Sequence, residues 1–247
     1  RDFCLSRGLG DVYKRQGIKI VETAGANPAQ LVPGLKAAGV TVIHKCTSVR
    51  HAISAQNKGV DILSIDGFEC AGHPGEDDIP GLILLPAAAD KLEIPFVASG
   101  GFADGRGFAA ALSLGAEGIN MGTRFVATEE APVHQNVKQA IVDRSELDTN
   151  LILRTLNNTA RVAKNAVSDE VVEKLNQGAQ FPEIRDLVAG KRGAQVYETG
   201  DLDAGIWSAG PVQGIINDIP SCQELLDRIV ADAVEIIEGR LAGFVAK

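Results

Sequence analysis

The 247-residue sequence predicts an α/β fold built on a parallel sheet. Apolar, strand-like runs alternate with helical segments from Gly17 to Phe125. Two helix-to-strand junctions have the same form, a glycine followed by an apolar run, at Gly39 and Gly59. The predicted strands are nearly continuous in apolar residues, which is typical of parallel strands buried on both faces. We therefore expect a sheet that is covered on both sides.

The elements follow one another in short steps. Asn27 and Pro28 begin the first helix, Ser48 caps the second and Asp104 caps a later one that Gly115 ends. A further helix is predicted between them, over 82–92. The predicted strands cover 18–23, 40–45, 60–65, 96–99 and 118–121.

Five strands are too few for a closed (β/α)₈ barrel, which needs eight. The chain therefore forms either an open five-stranded sheet or an incomplete (β/α)₈ TIM barrel that contains about five C-terminal strands. Residues 1–16 are polar and basic, show no period and run abruptly into the first strand. We interpret them as a non-native or disordered leader, and this favours the barrel that lacks about three N-terminal βα units.

Beyond Glu129 the pattern becomes helical, and 151–162 is ambiguous. Helices are predicted over 131–144, 169–177 and 182–189. Ser221 and Glu224 form a capping box for a last helix, whose apolar stripe is predicted at Leu225, Ile229, Val234 and Ile237. The predicted domains are a partial cofactor-binding barrel over 17–130, a small helical domain over 131–205 and a C-terminal return helix over 206–247 that packs on the barrel.

Composition excludes several classes of function. A net charge of −8 and the lack of a Lys or Arg run argue against nucleic acid as a partner. No apolar segment is long enough to span a bilayer, and we expect no membrane partner. The four cysteines are scattered without a CxxC pair, which argues against zinc and disulfide frameworks and predicts a cytoplasmic protein.

Two glycine turns follow the fourth and fifth predicted strands, at Ser99-Gly100-Gly101 and at Gly122-Thr123. Parallel strands end at one edge of a sheet, so the backbone N–H groups of these turns should lie side by side. Glycine suits a phosphate site, because a Cβ would hold the phosphate away from the N–H donors. The loops after strands 7 and 8 form the usual phosphate site of a barrel. The alternative interpretation is two ordinary βα turns.

The loop 64–81 carries the strongest catalytic candidate. His73 lies between Gly72 and Pro74 at the C-terminal edge of the sheet, and its neutral ring can accept a proton near physiological pH. A structural histidine is the alternative. Lys45 ends the second predicted strand and is suited to a flavin ring or phosphate, unless it only extends to solvent.

Other polar groups carry weaker predictions. The acids of this loop (Glu69, Glu76, Asp77 and Asp78) are either paired catalytic carboxylates or, as we prefer, a solvated face. His44, Cys46 and His51 do not have metal-ligand spacing, so no metal site is predicted. No GxGxxG follows a strand, and a Rossmann site is not supported.

Three motifs together resemble one family. They are SIDGFECAGHPGEDD at 64–78, ASGGFADGRG at 98–107 and NMGTRF at 120–125. These motifs are similar to those of the nitronate monooxygenases, formerly called 2-nitropropane dioxygenases, which are FMN-dependent (β/α)₈-barrel flavoproteins. The resemblance extends from Gly17 to the C-terminus.

The resemblance implies a flavin site and a reaction. His73 matches the catalytic histidine, a base or a hydrogen-bond partner of the substrate nitro group. An alkyl nitronate would give one electron to FMN, and reaction with O₂ would then yield a carbonyl compound and nitrite. The implied FMN-binding residues are Ser99, Gly100, Gly101, Gly122 and Thr123 at the phosphate, Lys45 and Gly72 along the flavin, and Gln213 closing over it.

One departure and two alternatives accompany this resemblance. The N-terminal Pro–Met strand of the family and the two βα units after it have no match here. That difference predicts weak or no FMN retention by this chain alone and an exposed apolar sheet edge, and hence association into homo-oligomers. The first alternative is an FMN-dependent NAD(P)H reductase for quinones or enoyl thioesters on the same scaffold, and the second is a flavin-free module that binds a phosphate ligand.

Overall fold

The computed structural model describes residues 17–25 and 27–245. The predicted leader over 1–16 lies outside the described residues. The strands are β1 Ile20–Thr23, β2 Thr41–Cys46, β3 Ile62–Asp66, β4 Phe96–Ser99, β5 Ile119–Asn120, β6 Thr149–Ile152 and β7 Ala160–Ala163. The α-helices are α1 Val32–Ala37, α2 Val49–Gln56, α3 Gly81–Ala89, α4 Gly105–Ser113, α5 Thr123–Val126, α6 Gln135–Asp143, α7 Ala166–Asn176, α8 Phe181–Ile184, α9 Gly190–Thr199 and α10 Cys222–Glu235.

The first five strands form one parallel sheet in sequential order, β1-β2-β3-β4-β5. Helices connect the successive strands, as the strand-helix alternation predicts. The register pairs Lys45 with Ser64 and Asp66 with Ser99. Ser99 in turn pairs with Asn120. Side chains that pair in this way point to the same face of the sheet.

The sheet is strongly curled. Neighbouring strands lie about 4.8 Å apart, so four spacings would separate β1 from β5 by about 19 Å in a flat sheet. The Asn120 side-chain amide on β5 nevertheless donates a hydrogen bond of 2.9 Å to the Glu22 carboxylate on β1. The same amide reaches the Ser64 hydroxyl at 3.2 Å. Contacts of this length between the two outer strands require a half-barrel, which decides against a flat open sheet.

The convex face of the half-barrel is apolar and carries the helices. Its strand residues pack with side chains from α1 to α4 in one core, which includes Val42, Leu63, Ile65, Phe96 and Ala98. Leu63, Ile65, Val42 and Ala98 are fully buried. Burial of a Val, Leu, Ile or Phe side chain contributes about 1.5–3 kcal/mol, so this core holds the barrel wall together.

The prediction of continuously apolar strands is wrong for the concave face of the sheet, although Ser64, Asp66 and Ser99 on that face are buried. The strand positions that face inward are largely polar towards the C-terminal ends of the strands: Glu22, Lys45, Ser64, Asp66, Ser99 and Asn120. The strands therefore alternate between an outward apolar and an inward polar position. The inward set places charged groups where barrel active sites lie.

The segment predicted as a helical domain over 131–205 also contains strands. The ambiguous region forms an antiparallel hairpin in which β6 pairs with β7. The predicted helix over 182–189 is wrong after Ile184, and the next helix, α9, begins at Gly190. β-Branched and apolar residues of the hairpin pack against α7 and α8 in a separate core. The division of the chain into three domains stays a prediction.

The last long helix packs on α4, and Ser221 caps it by accepting a bond of 3.2 Å from the N–H of Glu224. A Cβ at Gly105 would lie 2.4 Å from the Cβ of Asp232, so glycine permits the close approach of the two helices. The buried stripe of this helix consists of Leu225, Ile229 and Ala233. Leu225 and Ile229 belong to it as predicted, whereas the predicted Val234 and Ile237 are exposed. A spacing of four residues keeps the buried stripe on one face.

No helix in the described part of the chain is long and apolar enough to cross a bilayer.

Candidate functional site

A cavity of about 810 Å³ opens at the C-terminal ends of β1, β2 and β3. Its wall combines strand ends, the loop after β3 and the turn of the β6–β7 hairpin. The polar groups that line it include Lys45, Asp66, His73, Asn158 and Thr159. A volume of this size is in the range of ligand-binding clefts, so the cavity is the main candidate site.

His73 is exposed and lines this cavity. Its ring has no hydrogen-bond partner among the described residues. A structural histidine is normally buried and bonded through at least one ring nitrogen. Both ring nitrogens of His73 are therefore available to a ligand, which matches the catalytic prediction better than the structural alternative.

Lys45 belongs to a small charged network on the cavity floor. Its ammonium lies 3.6 Å from the Asp66 carboxylate and 3.8 Å from the Glu22 carboxylate. Of the described residues that line the cavity, Lys45 is the one Lys or Arg. The sequence alternative, a lysine that only extends to solvent, does not describe this inward and partnered side chain.

Asp66 is a deeply buried carboxyl group in the cavity wall. The residue is only 4% exposed, and its Oδ1 has no hydrogen-bond partner among the residues that the structure describes. Burial raises the pKa of this carboxyl, and the nearby ammonium of Lys45 offsets only part of that effect. A buried carboxylate oxygen without a partner is costly to desolvate, which agrees with the raised pKa of this group.

Asp66→Asn should stabilise the protein most at neutral pH. Because burial raises the pKa of Asp66, its contribution to stability is greatest at low pH and is lost as pH rises from about 3.9 through the folded-state pKa. The free energy of unfolding of the variant minus that of the wild type should therefore grow as pH rises through the folded-state pKa of Asp66. Urea unfolding at a series of pH values measures this difference. A difference that does not change with pH would contradict the prediction, and the exposed Asp90→Asn is the matched control.

The other candidate groups, His44 and Cys46 in the cavity wall and Cys70 outside it, are less reactive. His44 is buried, and its Nδ1 lies 2.7 Å from the hydroxyl of Thr23. Burial lowers the pKa of His44, so its ring is held neutral. Burial also raises the pKa of Cys46 and of Cys70 to about 12, and neither is a thiolate nucleophile. Within 17–25 and 27–245, no group of three His, Cys, Asp or Glu side chains has the geometry of a metal site.

The two glycine turns lie at the ends of neighbouring strands, β4 and β5. Gly100 and Gly101 have φ angles of 86° and 83°, a region that side chains disfavour. A Cβ at Gly100 would lie 2.9 Å from the backbone N of Cys70, so this turn packs directly against the His73 loop. A Cβ at Gly122 would meet no protein atom within 4 Å, so the space over Gly122 is open.

These turns have the features of a phosphate site. Gly101 and Gly122 are both exposed. The four-residue helix that begins at Thr123 has no side-chain cap, so the N–H groups ahead of Val126, which itself donates to the carbonyl of Gly122, have no side-chain acceptor. Open space beside free backbone N–H donors fits the phosphate of FMN.

The segment 67–73 joins the turns to the cavity. Its Gly67 and Cys70 lie against Gly100, and its His73 lies in the cavity wall. On the other side, the hydroxyl of Thr123 accepts a bond of 3.0 Å from the N–H of Gly210. The structure therefore brings Lys45 and His73 into one cavity and places the glycine turns beside it, although the turns do not line that cavity.

Two predicted flavin contacts have other partners. Gly72 exchanges both of its backbone hydrogen bonds with Arg161, so its N–H is not free for a cofactor. Gln213 is fully buried, and its amide donates a bond of 2.9 Å to the carbonyl of Ser145. Gln213 does not line the cavity. The Gln213 side chain therefore links the segment after α9 to the residues that follow α6.

Three acids of the His73 loop make structural contacts. Both carboxylate oxygens of Glu69 accept from the N–H of Gly81, at 3.1 and 2.9 Å, and thereby cap α3. Glu76 is bonded to Thr159, and Asp78 forms an ion pair with Arg154. These pairings argue against a catalytic carboxylate pair. The adjacent acids Glu76, Asp77 and Asp78 are all exposed, as the interpretation of a solvated face expects.

Sequence reasoning missed several residues of the site. Asp66, Asn158 and Thr159 line the cavity, and Glu22 and Asn120 bridge the first and fifth strands of the half-barrel. Part of this set is predictable from the sequence, because polar residues interrupt otherwise apolar strands at Glu22, Lys45, Ser64 and Asp66. No local signal linked residues 158 and 159 to the loop of His73.

Comparisons with known proteins identify relatives of this chain. The family model described as nitronate monooxygenase matches residues 10–232. The chain is 31% identical to a (3aS,4S,5R,7aS)-5-hydroxy-7a-methyl-1-oxo-octahydro-1H-indene-4-carboxyl-CoA dehydrogenase of Rhodococcus jostii, over 92% of this chain and 74% of the relative. It is 29% identical to a probable nitronate monooxygenase of Bacillus subtilis, over 85% of this chain and 62% of the relative.

Solved structures resemble the chain in the same way. The structure of FabK from Thermotoga maritima superposes with a TM-score of 0.90 at 31% identity, covering 96% of this chain and 74% of that one. A nitroalkane oxidase from Streptomyces ansochromogenes has a TM-score of 0.77 at 24% identity, over 93% of this chain and 68% of that one, and supports the fold alone.

Proposed function

The chain belongs to the nitronate monooxygenase family of oxidoreductases, and on this premise we propose that it oxidises alkyl nitronates with O₂ to a carbonyl compound and nitrite, with FMN as its cofactor. The observation that carries the proposal is an imidazole with two unbonded nitrogens, His73, in a cavity whose floor holds the ammonium of Lys45. A nitronate is an anion with two oxygen acceptors, so it suits a hydrogen-bond donor and a cation in one cavity.

Each group has a separate task in this proposal. His73 hydrogen-bonds the nitro oxygens and holds or moves a proton at a ring nitrogen. Lys45 attracts the anion, and Asp66 with Glu22 keeps the ammonium on the cavity floor. The turns at Gly100-Gly101 and Gly122-Thr123 bind the cofactor phosphate. When bound, FMN supplies the redox chemistry between the nitronate and O₂, while the protein orients the reactants and excludes water.

Oxygen uptake tests the proposal. The purified chain with FMN in excess should consume O₂ when an alkyl nitronate is added and should release nitrite. The neutral nitroalkane is the matched substrate control, because it lacks the negative charge that Lys45 attracts. Nitronate that produces neither oxygen consumption nor nitrite with FMN-loaded protein would contradict the assignment.

A second candidate is an FMN-dependent NAD(P)H reductase that acts on a thioester or a quinone. The relative named as a carboxyl-CoA dehydrogenase favours it, since that name denotes a coenzyme A thioester substrate. Anaerobic mixing separates the two functions. Bleaching of the flavin absorbance by NADH or NADPH, but not by nitronate, would favour the reductase and reject nitronate oxidation.

A further inference from the structure

The loop that carries His73 is fastened to the β6–β7 hairpin on both sides of the imidazole. One residue before His73, the N–H of Gly72 donates to the carbonyl of Arg161 at 2.9 Å, and the N–H of Arg161 donates back at 2.6 Å. Three residues after His73, the Glu76 carboxylate accepts from the N–H of Thr159 at 2.7 Å and from its hydroxyl at 2.6 Å. His73 therefore lies between two anchors, both on the hairpin.

The segment between the anchors needs such support. Gly72 and Gly75 both have positive φ angles, 73° and 84°, and glycines leave a free loop many conformations. Pro74 is buried, whereas His73 is exposed to the cavity. The carboxylate of Glu76 makes two short bonds, one of them to a backbone N–H, and charge-assisted bonds of this kind restrain a loop effectively.

The hairpin also forms part of the wall that His73 shares. Asn158 and Thr159 line the same cavity as His73. A movement of the hairpin would therefore change both the position of the imidazole and the shape of the cavity. This arrangement couples the small β6–β7 unit to the chemistry at the barrel edge.

We propose that Glu76 and Thr159 are positioning residues that hold the His73 imidazole in the cavity, an inference that rests on the proposed role of His73. Neither residue needs to touch the reacting atoms. Their bonds fix the loop immediately after His73, while the Gly72–Arg161 pair fixes it immediately before.

A contact farther along the loop provides the control. Arg154 donates two bonds to the Asp78 carboxylate, at 3.1 and 2.6 Å, and both side chains are about 40% exposed. An exposed pair of this kind contributes little to stability. Asp78 has a φ of 52°, which asparagine tolerates, so Asp78→Asn removes the charge without backbone strain.

Glu76→Ala should lower kcat for nitronate-dependent oxygen uptake about tenfold, because small displacements of a catalytic group carry large rate penalties. The KM for nitronate and the dissociation constant for FMN should stay within about twofold. Glu76→Gln should restore most of the rate, since the Thr159 hydroxyl can both accept from and donate to a carboxamide. Asp78→Asn should behave as the wild type.

Further outcomes decide between positioning and a merely structural role. If Glu76→Ala changes kcat, KM, FMN affinity and melting temperature together, and Glu76→Gln does not restore the rate, the positioning role is wrong. If kcat is unchanged in Glu76→Ala while His73→Ala is inactive, the inference fails and the proposed function stands. If His73→Ala is itself fully active, the proposed function fails first. Should Glu76→Ala not fold, Thr159→Val, which removes one hydroxyl, gives the same test.

Discussion

Replacing His73 with alanine is expected to lower kcat/KM for alkyl nitronate oxidation by about 10²- to 10⁴-fold, the range typical of a lost general acid or base. The side chain is exposed to the cavity and has no hydrogen-bond partner among residues 17–25 and 27–245, so its removal leaves no unpaired buried group. Stability and FMN affinity should therefore be unchanged. Initial rates of oxygen uptake over a range of nitronate concentrations measure the effect.

The control for this variant is His134→Ala. His134 caps α6, where its Nδ1 accepts a bond of 3.1 Å from the N–H of Asn136, and it does not line the cavity. Loss of this cap should reduce the free energy of unfolding by about 0.5–2 kcal/mol without changing the rate. Equal rate losses in the two variants would mean that the effect of His73→Ala arises from general destabilisation.

Gly122→Val is expected to raise the dissociation constant for FMN at least about tenfold, equivalent to about 1.4 kcal/mol of binding free energy. A side chain at this position would occupy the open space over the turn and hold a phosphate away from the N–H donors. The fold should tolerate the change, because the φ of −103° is accessible to valine and no protein atom lies within 4 Å of the new Cβ. Titration of flavin fluorescence measures the affinity.

Gly190→Val is the matched control for this second prediction. Gly190 begins α9, and a Cβ there also meets no protein atom within 4 Å. Both variants should have the melting temperature of the wild type, and only Gly122→Val should bind FMN more weakly. Unchanged FMN affinity in Gly122→Val would show that the phosphate lies elsewhere.

Local patterns in the sequence were sufficient for the parallel βα units and for the candidate residues at their ends. Gly39 and Gly59 follow the ends of two helices with positive φ angles, and Ser48 and Asp104 cap the starts of two helices. These features are predictable because capping and left-handed φ angles depend on only a few neighbouring residues. The glycine turns after β4 and β5 and the loop of His73 were found by the same kind of reasoning. The apolar residues of the strands predicted the sheet itself, although not which of its faces is polar.

The assembled site depends on contacts between distant parts of the chain. The curl of the sheet is visible in the bond from Asn120 to Glu22, 98 residues apart, and the anchoring of the His73 loop in the bond from Thr159 to Glu76, 83 residues apart. Sequence by itself determined where strands, turns and reactive side chains occur, because those signals are local. Only the tertiary structure decided which of them meet, because strands of two to six residues and a short hairpin do not encode their partners until the chain has packed.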